Sequence, residues 1–206
     1  MEHILKYFPE LTELQRSQYA QMEQLYPEWN AKINVISRRD IDNLEVNHIL
    51  HSLSLVKFVQ FVPGTRVLDL GAGGGFPSMP LAVYYPQVHF HLVDRVGKKL
   101  RVAQDVAQQL GLENVTVQHG DVKEVKGHFD FVVSRAVMDL ADMVPLVRRL
   151  VPRGGDNSIP NGLLCLKGGD LTAELAKYAR EVLVDEVSSY FTEPYFQPKK
   201  IVYLPL

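Results

Sequence analysis

The stretch LDLGAGGGFPSMPL, residues 68 to 81, carries four glycines in the five positions from Gly71 to Gly75. Glycine at that density costs backbone entropy and packs nothing, so it is tolerated where the chain must turn sharply or lie bare against a ligand. TRVLDL before it reads as a strand, and PSMPLAVYY after it reads as a short helix with Pro77 in the first turn. Strand, glycine turn and helix in succession predict a ligand site at the carboxyl end of a strand in an open α/β sheet.

The rest of the chain agrees with such a sheet. VHFHLVD, NVTVQHGD, FDFVVSRA and GLLCLKGG read as further strands. Between them GKKLRVAQDVAQQLG, closed by Gly111, and DLADMVPLVRRLV read as helices. A helix near 170–182 and two strand-like stretches near 183–191 and 199–204 complete the pattern. The expectation is a Rossmann-like α/β domain over 61–206, with a mostly parallel, doubly wound, seven-stranded sheet. Residues 1–60 read as a helical layer packed on that core. Met22, Leu25, Tyr26, Trp29 and Ile33 form one apolar stripe interrupted by Pro27, and Ser37 to Asp40 fits a capping box opening another helix.

Composition narrows the class. The 206 residues are 46% hydrophobic and 22% charged, ordinary for a soluble globular chain. No apolar run is long enough to span a bilayer, and the N-terminus lacks the basic flank and apolar stretch of a signal peptide. The single cysteine, Cys165, excludes an intramolecular disulfide and reads as a buried strand residue. These features point to a cytoplasmic protein, with a monomer as the default. A net charge of −2 excludes nucleic-acid binding by overall charge and leaves only local patches for it.

The ligand is narrowed by two carboxylates and one departure from a known fingerprint. Asp94 closes the second strand, 19 residues after Gly75, where a carboxylate can accept from both hydroxyls of a ribose. Gly71, Gly73 and Gly75 would let a ligand approach the backbone. A dinucleotide site wants glycine where this chain has Phe76, and Pro77 removes an amide donor that a phosphate would use. The pattern fits S-adenosylmethionine better, a nucleoside with an amino-acid tail and no phosphate. Asp121, after the third strand, is placed to accept from an adenine amino group, with Val122 and Lys123 supplying backbone beside it.

WNAKINVISRRD, HILHSL, VLDLGAGGGFPSMPLAV, FVVSRAV and LCLKGG stand in an order that resembles the bacterial small-subunit rRNA guanine-N7 methyltransferases, the glucose-inhibited-division B family. The resemblance runs from about residue 20 to residue 204. It implies a class I methyltransferase fold and methyl transfer from S-adenosylmethionine to guanine N7 in 16S rRNA or a small-subunit particle. Carried onto this chain, the cofactor contacts would be Gly71, Phe76, Val122, Lys123 and Arg135. Asn47 and His51 stand where the family commonly carries charged residues, Ser78 where it carries glycine, and Val35-Ile36 where it carries Leu-Thr.

Guanine N7 has an in-plane lone pair and no proton, so its methylation needs no general base and depends on alignment. No Ser-His-Asp set appears, and His48 and His51 lack the i,i+4 spacing of paired metal ligands, so no metal is expected. Arg135, ending the fourth strand, is the candidate positioning residue; an ion pair with Asp69 is its structural alternative. Asn34, Arg38, Arg39 and Lys167 are candidate RNA contacts, with solvated surface as their alternative. Two other readings stay open: a class I methyltransferase acting on a small molecule or protein, and a non-enzymatic nucleotide- or RNA-binding module.

Overall fold

The computed structural model describes residues 1–37, 40–135 and 137–206. Its seven strands are β1 (Arg66–Leu70), β2 (His89–Asp94), β3 (Val115–His119), β4 (Phe131–Arg135), β5 (Gly162–Gly168), β6 (Leu183–Glu186) and β7 (Lys199–Pro205). They form one sheet in the order β3-β2-β1-β4-β5-β7-β6. β7 runs antiparallel to β5 and β6, and the other neighbours are parallel. From β1 the chain winds outward to β2 and β3, then returns to place β4 on β1's other side. That reversal opens a crevice at the carboxyl ends of β1 and β4.

Along the central strands side chains alternate between the two faces, and both faces are buried, whereas the edge strands β3 and β6 are half-buried or exposed. Val67 of β1, Phe131 and Val133 of β4, and Leu164 of β5 join one apolar cluster. Leu68, Leu70, Val132, Leu163 and Cys165 join another on the opposite face. Near-continuous apolar strands are what a sheet covered on both sides requires. Cys165 is buried, and that burial pushes its thiol up to about 12.

Among the described residues seven α-helices complete the layers: α1 (Glu2–Tyr7), α2 (Glu13–Asn30), α3 (His51–Phe58), α4 (Ser78–Tyr84), α5 (Gly97–Gln109), α6 (Leu140–Val147) and α7 (Thr172–Leu175). Thr12 caps α2 in a capping box with Gln15. α2 runs through Pro27 to Asn30, because the proline lies in the last turn, where it removes a single intrahelical donor. Ile33 therefore falls past the helix end and packs on the core from a loop. Asn30 shapes that loop, accepting from the amides of Val35 and Ile36 at 2.9 Å each.

Two expected elements are shorter than their sequence patterns. The helix near 170–182 is a single turn, Thr172–Leu175, followed by a 3-10 turn, Ala176–Tyr178. The stretch near 183–191 is strand only as far as Glu186, where β6 gives way to a 3-10 turn, Val187–Ser189. There Val187 and Phe191 turn into the core. Ser37 accepts from the Asp40 amide at 3.2 Å as a cap would. The segment beyond opens as a 3-10 turn, Ile41–Asn43, and a π-helical turn, Glu45–Leu50, before α3 begins.

Polar groups as well as apolar burial tie the N-terminal helices to the sheet domain. Gln15 donates to the carbonyls of Val83 and Tyr84 at the end of α4, both at 3.1 Å. Tyr19 donates to Pro80 O at 2.9 Å, and Tyr26 to Gly74 O at 2.7 Å. Both hydroxyls are buried, so each satisfies a carbonyl that water cannot reach. Tyr26→Phe strands the Gly74 carbonyl and is expected to lower stability by about 1–3 kcal/mol in urea unfolding. A loss near zero would show that the Gly74 carbonyl finds another donor.

Candidate active site

The glycine turn after β1 divides into two parts with different neighbours. Gly71 and Gly73 are partly exposed, with φ of 69° and 55°, conformations that favour glycine. Gly74 and Gly75 are buried. A Cβ on Gly75 would run into Met79 and lie 3.2 Å from Ala103, and one on Gly74 would lie 3.1 Å from Val35. Gly75 is therefore required by packing inside the protein, and the structure does not bring it to the crevice. Phe76 is also buried, its ring 4.7 Å from that of Tyr26.

Asp94 fastens the exposed half of the turn. One carboxylate oxygen accepts from Gly73 N at 2.8 Å and the other from Val96 N at 2.7 Å. Each oxygen retains a lone pair, so the group can still accept from a ligand. Across the β2–β3 ends, Asp121 accepts from Lys123 N at 2.9 Å and pairs with the exposed Arg95. The Lys123 amide, followed by Arg95, holds the Asp121 carboxyl below the usual carboxylate range. Gly71, Asp94, Asp121 and Val122 line one cleft of about 290 Å³, whose walls include Met138 and Leu146. Arg149 braces its rim by donating to the carbonyls of Val122 and Lys123 at 3.1 and 2.9 Å.

A second cleft of about 520 Å³ adjoins the first and shares Val137 and Met138 with it. Arg135 lies here, its guanidinium 5.3 Å above the Phe76 ring. It donates to His48 Nδ1 at 2.7 Å and, over a longer 3.4 Å, to the Asn47 carbonyl. It makes no ion pair with Asp69 or any other carboxylate among the described residues. Burial lowers the Arg135 pKa, but a guanidinium stays charged in any protein setting. Burial also holds His48 neutral, pushing its pKa down to about 3 with help from Arg135.

Asp69 is the residue that strand periodicity makes conspicuous. It shares the face of Val67 in β1, and it is fully buried. One oxygen accepts from Ser78 N at 3.2 Å, and the other has no partner among the described residues. Burial raises its pKa to about 7, partly offset by Ser78 and Arg135.

The candidate RNA contacts are dispersed. Asn34 is exposed on the loop whose Val35 covers Gly74. The Lys167 ammonium is held by Glu174 at 2.6 Å and by the Met138 carbonyl at 2.7 Å, in the wall of the second cleft. It is thus partnered inside the protein. Arg38 and Arg39 lie outside the described residues. No group of three or more metal-ligating side chains occurs among the described residues, and no described helix is long and apolar enough to cross a membrane.

Residues 15–202 match the family model described as rRNA small subunit methyltransferase G. The chain is 54% identical over 203 residues to the ribosomal RNA small subunit methyltransferase G of Bacteroides thetaiotaomicron, covering 98% of each. It is 50% identical over 206 residues to the protein of that name from Phocaeicola vulgatus, covering 100% of this chain and 99% of the relative. Among solved structures, a precorrin-6y C5,15-methyltransferase from Geobacter metallireducens superposes with a TM-score of 0.57 at 15% identity, over 84% of this chain and 93% of that one. The magnesium protoporphyrin IX methyltransferase of Synechocystis, solved with S-adenosylmethionine bound, gives 0.57 at 16% identity, over 83% and 86%. These two share the fold, that of the class I methyltransferases.

Asp69 gives the ligand-free protein a pH signature. Its folded pKa, about 7, lies above the ordinary 3.8, so the folded state keeps a proton that the unfolded chain has lost. The resulting stability is complete below the unfolded value and disappears as pH rises through about 7. Between pH 5 and pH 8, wild type is expected to lose about 2–3 kcal/mol relative to Asp69→Asn in urea unfolding. Parallel stability curves for the two proteins would contradict the raised pKa.

Proposed function

The chain belongs to the rRNA small subunit methyltransferase G family, and from that premise we propose that it transfers a methyl group from S-adenosylmethionine to N7 of a guanine in 16S rRNA. The observation that carries the reading is the first cleft, where Asp94, closing β2, and Asp121, two residues past β3, stand beside a bared glycine turn. Its acceptor set fits a nucleoside without phosphate. Asp94 offers lone pairs for a ribose diol, Asp121 for an adenine amino group, and the apolar walls of Val122, Met138 and Leu146 flank a ring. Gly71 and Gly73 would form the floor, with Lys123 at the adenine end and Arg135 holding the tail's carboxylate. Phe76 would support Arg135 from beneath, and Gly75 would shape the floor through Met79 and Ala103.

The cofactor, when bound, supplies an electrophilic methyl group. Because guanine N7 already presents a lone pair, no residue has to remove a proton, and the chain's task is alignment. Arg135 and the walls shared by the two clefts would fix the acceptor beside the donor. Asn34, exposed on the loop whose Val35 covers Gly74, is the proposed RNA-side residue within the described chain, and Lys167 would serve indirectly by holding Met138 in the shared wall. The reading carries with it a monomeric, cytoplasmic enzyme acting on 16S rRNA or a small-subunit particle. A protein or small-molecule acceptor is the second reading, favoured by the net charge of −2.

The test uses labelled S-adenosylmethionine with small-subunit RNA lacking the modification, presented free and as particles. The expected result is label at guanine N7. Cofactor binding without transfer to either substrate would overturn the acceptor, and transfer to small molecules or protein alone would favour the second reading. In calorimetry, Asp94→Asn is expected to weaken cofactor affinity about tenfold, because a charge-assisted acceptor becomes a neutral one. Unchanged affinity would remove Asp94 from the ribose.

A further inference from the structure

We propose that the π-helical turn Glu45–Leu50 is a charge-neutral clamp, in which His48 is a positioning residue that aims Arg135 while leaving its positive charge free for the carboxylate of the cofactor's amino-acid tail. The inference rests on the proposed cofactor and goes beyond it, because neither His48 nor the turn belongs to the residues assigned above.

Three observations carry it. First, the acceptors on the guanidinium are uncharged: the His48 ring at 2.7 Å and the Asn47 carbonyl at 3.4 Å. A carboxylate at either place would orient the arginine equally well but would neutralise it and compete with an incoming anion. An imidazole lone pair orients it and leaves the charge in place. Arginine has only donors, so Nδ1 must accept, and the ring proton must sit on Nε2.

Second, the backbone departs from α-helix just where these acceptors are needed. A π turn spans Glu45–Leu50 directly before α3, and such turns are rare and concentrate at functional sites. Here it presents the Asn47 carbonyl to two side chains, Arg135 and the Tyr195 hydroxyl, the latter at 3.1 Å. Tyr195 and His48 both line the second cleft with Arg135. The turn thereby carries the clamp from the helical layer onto the end of β4.

Third, His48 is held at a cost that packing alone does not explain. Its Nε2 is buried and has no partner among the described residues. Its ring stands edge-on to Phe76, with centroids 5.3 Å apart, and the same Phe76 ring lies under the guanidinium. The three groups form one stack in which the histidine fixes the arginine's direction and the phenylalanine its height. A buried polar atom left unsatisfied is retained where the ring serves another purpose. His51, one helical turn on, is likewise buried and without ring-nitrogen partners among the described residues.

The test compares two ligands, S-adenosylhomocysteine, which has the carboxylate, and 5′-methylthioadenosine, which lacks the amino-acid tail. Calorimetry is performed on wild type, His48→Leu, which removes the acceptor, and His48→Asn, whose side-chain oxygen can replace Nδ1. His48→Leu is expected to weaken S-adenosylhomocysteine about tenfold and leave 5′-methylthioadenosine unchanged, with His48→Asn within about threefold of wild type for both. Equal weakening of both ligands by His48→Leu would make the histidine merely structural and overturn the clamp. Unchanged affinity for both, with a raised KM for RNA, would overturn the carboxylate as the anion that Arg135 holds. Failure of wild type to bind either ligand would instead overturn the cofactor reading on which the clamp rests.

Discussion

A turn of four glycines has no side chains with which to hold itself, so its shape depends on hydrogen bonds from elsewhere. In this protein they come from opposite sides. The Val93 carbonyl of β2 accepts from Gly71 N at 2.9 Å, and the carboxylate of Asp94 accepts from Gly73 N. From the helical layer, Tyr26 donates to the Gly74 carbonyl and Val35 packs over Gly74, while Met79 of α4 occupies the space that a Gly75 side chain would fill. The sheet thus holds the half of the turn that faces the cleft, and the N-terminal layer joins α4 and α5 in holding the half that does not. The helical layer helps to build the floor of the site.

The second organising constraint is charge taken out of water. Asp69, buried beside the Ser78 amide, responds with a raised pKa. Arg135 cannot respond in that way and is met by an imidazole, a carbonyl and an aromatic face. Removing a charge from water is costly unless a partner compensates, and a site can reserve that compensation for its ligand. Lys167, by contrast, is compensated within the protein by Glu174 and is spent on fixing Met138, a wall common to the two clefts. Two cationic side chains at the ends of neighbouring strands therefore have different physical roles.

Much of this architecture is legible in the sequence, because sheet formation leaves a local trace. The apolar runs mark the strands, and the chain positions of Asp94 and Asp121 place one carboxylate at the end of β2 and the other just past β3. What is not legible depends on partners distant in sequence. Gly73 and Gly75 look alike in the sequence, and only the approach of Met79 and Ala103 separates a packing glycine from one at the cleft. Arg135 and Asp69 look like an ion pair, yet the arginine turns to His48, 87 residues away. The π turn that delivers His48 has no counterpart in apolar periodicity, since EVNHIL reads as ordinary helix. The stretch after Asp170 loses its helix after one turn, where Leu175 and Tyr178 turn inward to close the second apolar cluster.

The proposed nucleoside site is the cleft between Asp94 and Asp121, built on the exposed half of the glycine turn. A crystal structure of the protein with S-adenosylhomocysteine tests it most directly. The ribose hydroxyls are expected on Asp94, adenine beside Asp121 and Val122, and the tail passing Gly71 toward Arg135. A nucleoside seated elsewhere, for instance in the cleft of about 430 Å³ bordered by His91 and Phe129, with Asp94 bonded only to Gly73 and Val96, would contradict it.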